Sequence, residues 1–301
     1  MPITEQQREQ RRKFLGSSDA AAVVGLDPFR SPLDIFYDKT GQIVPTSGVA
    51  DNEAIRLGNI LEEPVLRWFG AEKNLKLILN DDVDRNRRLH ANGIMAANFD
   101  AFVDGDPRQA VEAKTHGLVS LYIDEQWGEV ETGEVPERVG LQCQHQMAVV
   151  PSVETVWVPV LLGGVGLRYY RVDRNAELIA DLETIEVKFW RDHVLAGIAP
   201  EGEPASLDTY KKLRRVPEKI VDVADEIVAA WLAAKEALKQ AEIIKDENTS
   251  FLLQALGDAE AARCGLGELT YFLNKGRKAY SVEAKDPYRE LRYKKPKGAK
   301  S

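Results

Sequence analysis

The sequence predicts an α/β fold of the α+β type, a mixed central sheet flanked by helices, and three observations carry that expectation. Apolar residues recur at helical spacing over 54–69. The pattern changes to strands between 75 and 115, and two more strands follow a helix at 137–150. A further helix at about 175–195 completes an order that suits a layered α/β core rather than a sandwich or a bundle.

From the N-terminus, residues 4–15 are rich in Gln, Arg and Glu and read as a helix. Gly16-Ser17-Ser18-Asp19 and a short apolar helix at Ala20–Val24 follow, with Ser18 or Asp19 as the N-cap. Ser31-Pro32 opens a helix through Tyr37 and Lys39 that stops at Gly41, because proline suits a first helical turn and glycine the position past the last. Over 54–69, Leu57, Leu61, Val65 and Trp68 form the apolar stripe. LKLIL, GIMAANFDAFV and AVEAKT then read as strands. VETVWVPVLL and GLRYYRV read as a hairpin turning at Gly163-Gly164. The helix at 175–195 places Leu178, Leu182, Ile185 and Phe189 on one face.

The Pro, Gly and charge clusters between Pro200 and Pro217 mark a linker. The expected organisation is a first domain over 1–199, a linker over 200–217 and an appendage over 218–301. In the helix expected at 218–245, Ile220, Ala224, Ile227, Trp231, Ala234, Leu238 and Ala241 alternate four- and three-residue spacings, as a helix packed along a partner does. Packing on the protein's own elements is favoured over dimerisation, which stays open. Short strands are expected over 259–283, and the last fifteen residues form a basic tail.

The 301 residues are 44% hydrophobic and 29% charged, ordinary values for a soluble globular chain. No apolar run is long enough to span a membrane, and the polar N-terminus carries no secretion signal, so the chain is expected in the cytoplasm. Two cysteines are too few for a disulfide framework or a cysteine-rich metal site, and two free thiols are expected. A net charge of −8 does not attract phosphate over the whole surface, but basic groups cluster at Arg11 to Lys13, Arg85 to Arg88, Lys211 to Arg215 and Lys294 to Lys300.

The chemistry concentrates in Asn98 to Val103 and Ala110 to Lys114. If both are strands, a period of two points Asp100 away from Phe99 and Ala101. It also places Glu112 and Lys114 on one face, with Val111 and Ala113 on the other. Neighbouring strands would then bring two carboxylates and one ammonium together, as a Mg²⁺-dependent phosphodiesterase requires: hard oxygens for the ion and a lysine beside the attacking water. A cross-strand surface pair would present the same residues. Glu62 falls beside the apolar stripe of its helix, where a buried carboxylate needs a partner, and Gln142, His145 and Gln146 lie near one face of the 137–150 helix. A cleft wall and a solvent-facing edge both explain that polar stripe.

Arg11-x6-Ser18, Gly58-x3-Glu62, Asp100…Glu112-x-Lys114 and Pro136-x5-Gln142-x-Gln144-His145 occur in the order seen in the YqaJ-type viral recombinases, which this chain resembles over about residues 8–165. That family is lambda-exonuclease-like and belongs to the PD-(D/E)XK superfamily, whose core resembles that of restriction endonucleases. The resemblance extends more weakly over LLQALGDAEAARCGLGELTYFLNKGRKAYSV. It implies Asp100, Glu112, the Ala113 carbonyl and Glu62 as metal-holding groups, with Mg²⁺, or Mn²⁺, as the ion. It implies Lys114 as the residue that positions water, Gln142 as its support, and Arg11 and Ser18 as contacts to a DNA phosphate. The implied activity is a duplex DNA exonuclease of a phage-type recombination system, acting at duplex ends in the host cytoplasm beside a single-strand annealing protein, with homo-oligomers known among its relatives. An endonuclease of the same fold and a silent DNA-binding or scaffold protein are the alternatives. The chain departs from the family's Gly-Gly-Ser-Asp with Gly16-Ser17-Ser18-Asp19, and Asp104 shares strand parity with Asp100 and rivals it as a ligand.

Overall fold

A computed structural model describes residues 9–44, 53–80, 86–116, 127–163 and 165–271, and it holds the expected helices around a mixed sheet. The helix expected over 4–15 is described only from residue 9 and ends at Arg11. Leu15–Gly16 is instead a strand, β1, because the wholly buried Leu15 aligns in parallel with Met95. Ser17–Asp19 form a 3-10 turn, so Ser18 is not a cap. Asp19 precedes α1 (Ala20–Val23), but its Oδ2 accepts from the Gly16 N–H (3.1 Å) rather than capping that helix.

α2 (Pro32–Lys39) starts as the sequence predicts. The Ser31 hydroxyl accepts from the Asp34 N–H and the Asp34 carboxylate from the Ser31 N–H, a reciprocal cap. Gly41, at φ 69°, leaves the helix in a conformation that glycine adopts without strain. α3 (Glu53–Lys73) buries Val65, Leu66 and Phe69, whereas Leu57 and Trp68 of the expected stripe are 47% and 46% exposed. The apolar contact belongs to its C-terminal half, where Leu66 and Phe69 meet Ala101 and Val111 of the sheet.

The strands follow: β2 (Leu77–Leu79), β3 (Arg88–Leu89), β4 (Met95–Ala97), β5 (Ala101–Val103), β6 (Asp106–Val111) and β7 (Lys114–His116). After α4 (Glu137–Val149) come β8 (Thr155–Leu162) and β9 (Gly166–Asp173), then α5 (Ala176–Phe189), which runs into a π-helical turn at Trp190–Leu195. GIMAANFDAFV is thus two strands in two sheets, since β4 pairs β1 and β3 while β5 lies between β2 and β6. β6 and β7 both run parallel to β8, with Val111 opposite Trp157 and Lys114 opposite Val160. The offset is the same for both, so they form one line interrupted at Glu112-Ala113. The Glu112 N–H still bonds the Trp157 carbonyl (2.9 Å), but the next donor on β8 would be Pro159, which has no N–H. β9 closes the far side of β8 in antiparallel pairing.

Val156, Val158, Val160 and Leu162 of β8 pack against Val139, Cys143 and Met147 of α4, which lays that helix along the interrupted line. In α5 the buried side chains are Ile179, Leu182, Glu186 and Phe189, while Ile185 is 42% exposed. Within 200–217, residues Leu207–Lys212 form α6, and the Ser206 N–H and hydroxyl both donate to Asp34 Oδ1 at 2.9 Å.

The chain divides into two compact units at Arg214 and Arg215. The second unit has α7 (Asp225–Leu256), starting and ending later than the expected 218–245, and an antiparallel hairpin of β10 (Ala261–Cys264) and β11 (Gly267–Thr270). The strands expected beyond 271, the basic tail, Arg85 and Gly164 lie outside the described residues. Both cysteines are free thiols, Cys143 buried and Cys264 exposed. No helix among the described residues is long and apolar enough to cross a membrane.

Candidate active site

The chain leaves ladder geometry at two neighbouring places, Asn98 to Asp100 and Glu112-Ala113, and the expected site residues stand there. The Asp100 N–H donates to the Val111 carbonyl (3.1 Å), and the Ala113 N–H donates to Asp100 Oδ2 (2.7 Å). Asp100 is therefore pinned against the break between β6 and β7. Lys114, first in β7, sends Nζ back to Glu112 Oε1 (2.7 Å), so the shared face expected from the spacing is present.

Two glutamines one turn apart on α4 complete the arrangement. Gln142 accepts from Lys114 Nζ (3.0 Å) and donates to Glu112 Oε1 (2.6 Å). The buried Gln146 donates to Glu112 Oε2 (2.6 Å) and to the Asn98 carbonyl (2.9 Å). Both Glu112 oxygens are thus held. Gln146 was visible in the sequence as the i+4 neighbour of Gln142, but spacing alone did not separate it from His145. The structure does: His145 turns away to Glu186 (2.9 Å) and the Ala96 carbonyl (3.0 Å).

Glu62 approaches from α3. One turn earlier, Gly58 faces β7, where an added Cβ would make an ordinary contact with Thr115 Oγ1 at 3.5 Å. Burial and the neighbouring Glu112 charge push the Glu62 carboxyl above the usual range. Burial, Glu112 and Glu62 together push Asp100 well above it. Burial works against the Lys114 charge, but Glu112 and Asp100 outweigh it and raise its pKa, so the ammonium persists. Three carboxylates thus repel one another around one cation. Among the described residues no three His, Cys, Asp or Glu side chains form a ready metal cage. The donor set nevertheless fits Mg²⁺, which takes one or two carboxylates and fills its remaining positions with water and substrate phosphate.

Asp104 does not belong to this cluster. It lies at the β5–β6 turn, where it pairs with the exposed Lys76 (2.6 Å). Arg11 and Ser18 are exposed and, among the described contacts, touch none of the carboxylates. Their backbones are tied to one buried group. Lys39 Nζ bonds both the Arg11 carbonyl (3.2 Å) and Asp19 Oδ2 (2.7 Å), while Arg30 bonds Asp19 Oδ1 (3.1 Å) and the Ser18 carbonyl. The sequence pointed to Arg11 and Ser18 but not to this Asp19–Lys39–Arg30 tether, whose members are far apart in the chain.

The profile of the YqaJ-like viral recombinase domain matches residues 7–153. The uncharacterized protein YqaJ of Bacillus subtilis (strain 168) is 31% identical over 249 residues, which is 82% of this chain and 73% of that one. An alkaline exonuclease of Laribacter hongkongensis is similar at 17% identity and a TM-score of 0.48, over 65% of this chain and 94% of that one. A phage-related exonuclease from Haemophilus somnus 129PT is similar at 13% identity and a TM-score of 0.40, over 61% of this chain and 96% of that one.

Proposed function

This chain belongs to the YqaJ-like viral recombinase family, and from that premise we propose that it is a metal-dependent DNA nuclease that hydrolyses phosphodiester bonds from duplex ends. The observation that carries the reading is Lys114 fixed between Glu112 and Gln142, with the half-buried Asp100 beside them. Lys114, held charged, orients the attacking water and offsets charge that develops on the phosphate. Gln142 and Gln146 keep Glu112 in one rotamer, and the Ala113 N–H does the same for Asp100. Asp100, Glu112 and Glu62, with the Ala113 carbonyl, would hold Mg²⁺ or Mn²⁺. Such an ion supplies a water of lowered pKa and a counter-charge for the phosphoryl oxygens.

Arg11 and Ser18 suit a terminal phosphate, because a guanidinium fork grips two oxygens and a hydroxyl adds a third bond. The product would be a single strand for an annealing protein to pair. The test is digestion of linear and covalently closed duplex DNA, with and without a 5′ phosphate, in Mg²⁺ or EDTA. Loss of linear 5′-phosphorylated duplex in Mg²⁺ alone is expected. Equal cutting of circles would move the reading to an endonuclease of the same fold, and no cutting at all would overturn it.

A further inference from the structure

The loop that joins α1 to α2 carries an aromatic ring that nothing in the core requires. Phe29 is 69% exposed, yet its backbone is firmly held. Its N–H donates to Asp27 Oδ1 (2.8 Å), and the next residue, Arg30, is anchored on Asp19 (3.1 Å), on Asp27 (3.5 Å) and on the Ser18 carbonyl. The Arg138 guanidinium lies over the ring, 5.6 Å from its centre. Arg138 stands in the first turn of α4, one turn before Gln142, and its Nη2 is 3.3 Å from His116 Nε2. His116 lies two residues after Lys114 on β7, and its ring edge rests on the buried Trp127. A continuous wall thus runs from the exposed ring through Arg138 and His116 to the lysine of the site. The same loop is tethered to Ser18.

We propose that Phe29, backed by Arg138, is a stacking platform for the nucleobase of the terminal nucleotide. The proposal rests on the nuclease reading and deepens it. A base attached to a phosphate near Ser18 lies within reach of a ring tied to that residue through Arg30. The exposed face accepts any base, because every base offers a π-face and stacking needs no hydrogen-bond code. The guanidinium behind the ring adds a cation on the side facing the site, suited to the backbone of the same nucleotide. Phe29 itself is exposed, so the ring can be altered without disturbing the core.

The experiment uses the full-length protein and a 5′-phosphorylated duplex with 2-aminopurine, a fluorescent adenine analogue, at the 5′ end. Binding is measured in Ca²⁺ to hold the duplex uncut, and turnover separately in Mg²⁺. The wild type should shift the terminal fluorophore's emission. Phe29→Leu should lose that shift and bind about tenfold more weakly, whereas Phe29→Trp should retain both. A fluorophore placed ten base pairs inward should report no difference among the three proteins. An unchanged terminal signal in Phe29→Leu overturns the platform, as does a change in sedimentation of the free protein, which would make the ring a protein contact. Absence of Mg²⁺-dependent cleavage by the wild type would instead sink the nuclease reading, so the two failures are distinguishable.

Discussion

Glu112 accepts hydrogen bonds from three side chains at once, those of Lys114, Gln142 and Gln146. A substitution there separates chemistry from folding. Glu112→Gln keeps the volume but removes the charge that holds Lys114 and any cation, so Mg²⁺-dependent cleavage should fall about a hundredfold or more, with the thermal midpoint near that of the wild type. Lys114→Ala should show a comparable loss of turnover while DNA affinity changes by less than about tenfold, because one lysine is a small part of the phosphate contacts. Single-turnover rates beside binding isotherms check both. Equal losses in binding and cleavage would make Lys114 an ordinary phosphate contact.

At the scale of elements, the site depends on irregularities that local patterns hide. Alternation in AVEAKT reads as one strand, yet Pro159 on the neighbouring strand interrupts it where Glu112 and Ala113 must leave the ladder. α3 is a second case. Its C-terminal end meets the turn leading to β2 at Gly70, where an added Cβ would lie 2.9 Å from the Leu75 carbonyl. The contact is backbone against backbone and cannot be relieved by turning a side chain. Gly70→Ala should therefore destabilise the first unit by roughly 1–3 kcal/mol, despite alanine's better helix propensity. Urea denaturation measures this; an unchanged or raised midpoint would show that the turn after α3 yields freely. The cap of α2 was legible, because a serine one residue before a helix acts locally.

For the molecule as a whole, two buried ionic groups bind distant segments and set opposite pH limits. Burial works against the Asp19 charge, but Lys39 and Arg30 outweigh it and hold its pKa below the usual carboxylate range. Its stabilisation is present above the ordinary pKa of about 3.9 and is lost as pH falls through the lower folded value. His145 is the reverse. Burial disfavours its charge, yet Glu186 raises its pKa, so its contribution is complete below about pH 6.5 and is lost as pH rises through the raised folded value. Urea midpoints should decline toward both limits. His145→Ala should cost about 3–5 kcal/mol, because the buried Glu186 is left without its partner. Glu186→Gln should flatten the alkaline decline; a slope unchanged in that variant would place its origin elsewhere.

The α/β order, the start of α2 and the shared face of Glu112 and Lys114 were determined by the sequence alone, because caps and two-residue alternation act between residues close in the chain. Asp100 and Asp104 share parity, and only the family resemblance favoured Asp100; their separation, with Asp104 carried out to Lys76 at the β5–β6 turn, is a matter of tertiary structure. The same holds for Gln146 against His145, and for the union of Arg11, Ser18, Arg30 and Lys39 around Asp19. Charge and hydrogen-bond partners separated by many residues are chosen by which elements pack together, and that choice exists only in the folded chain.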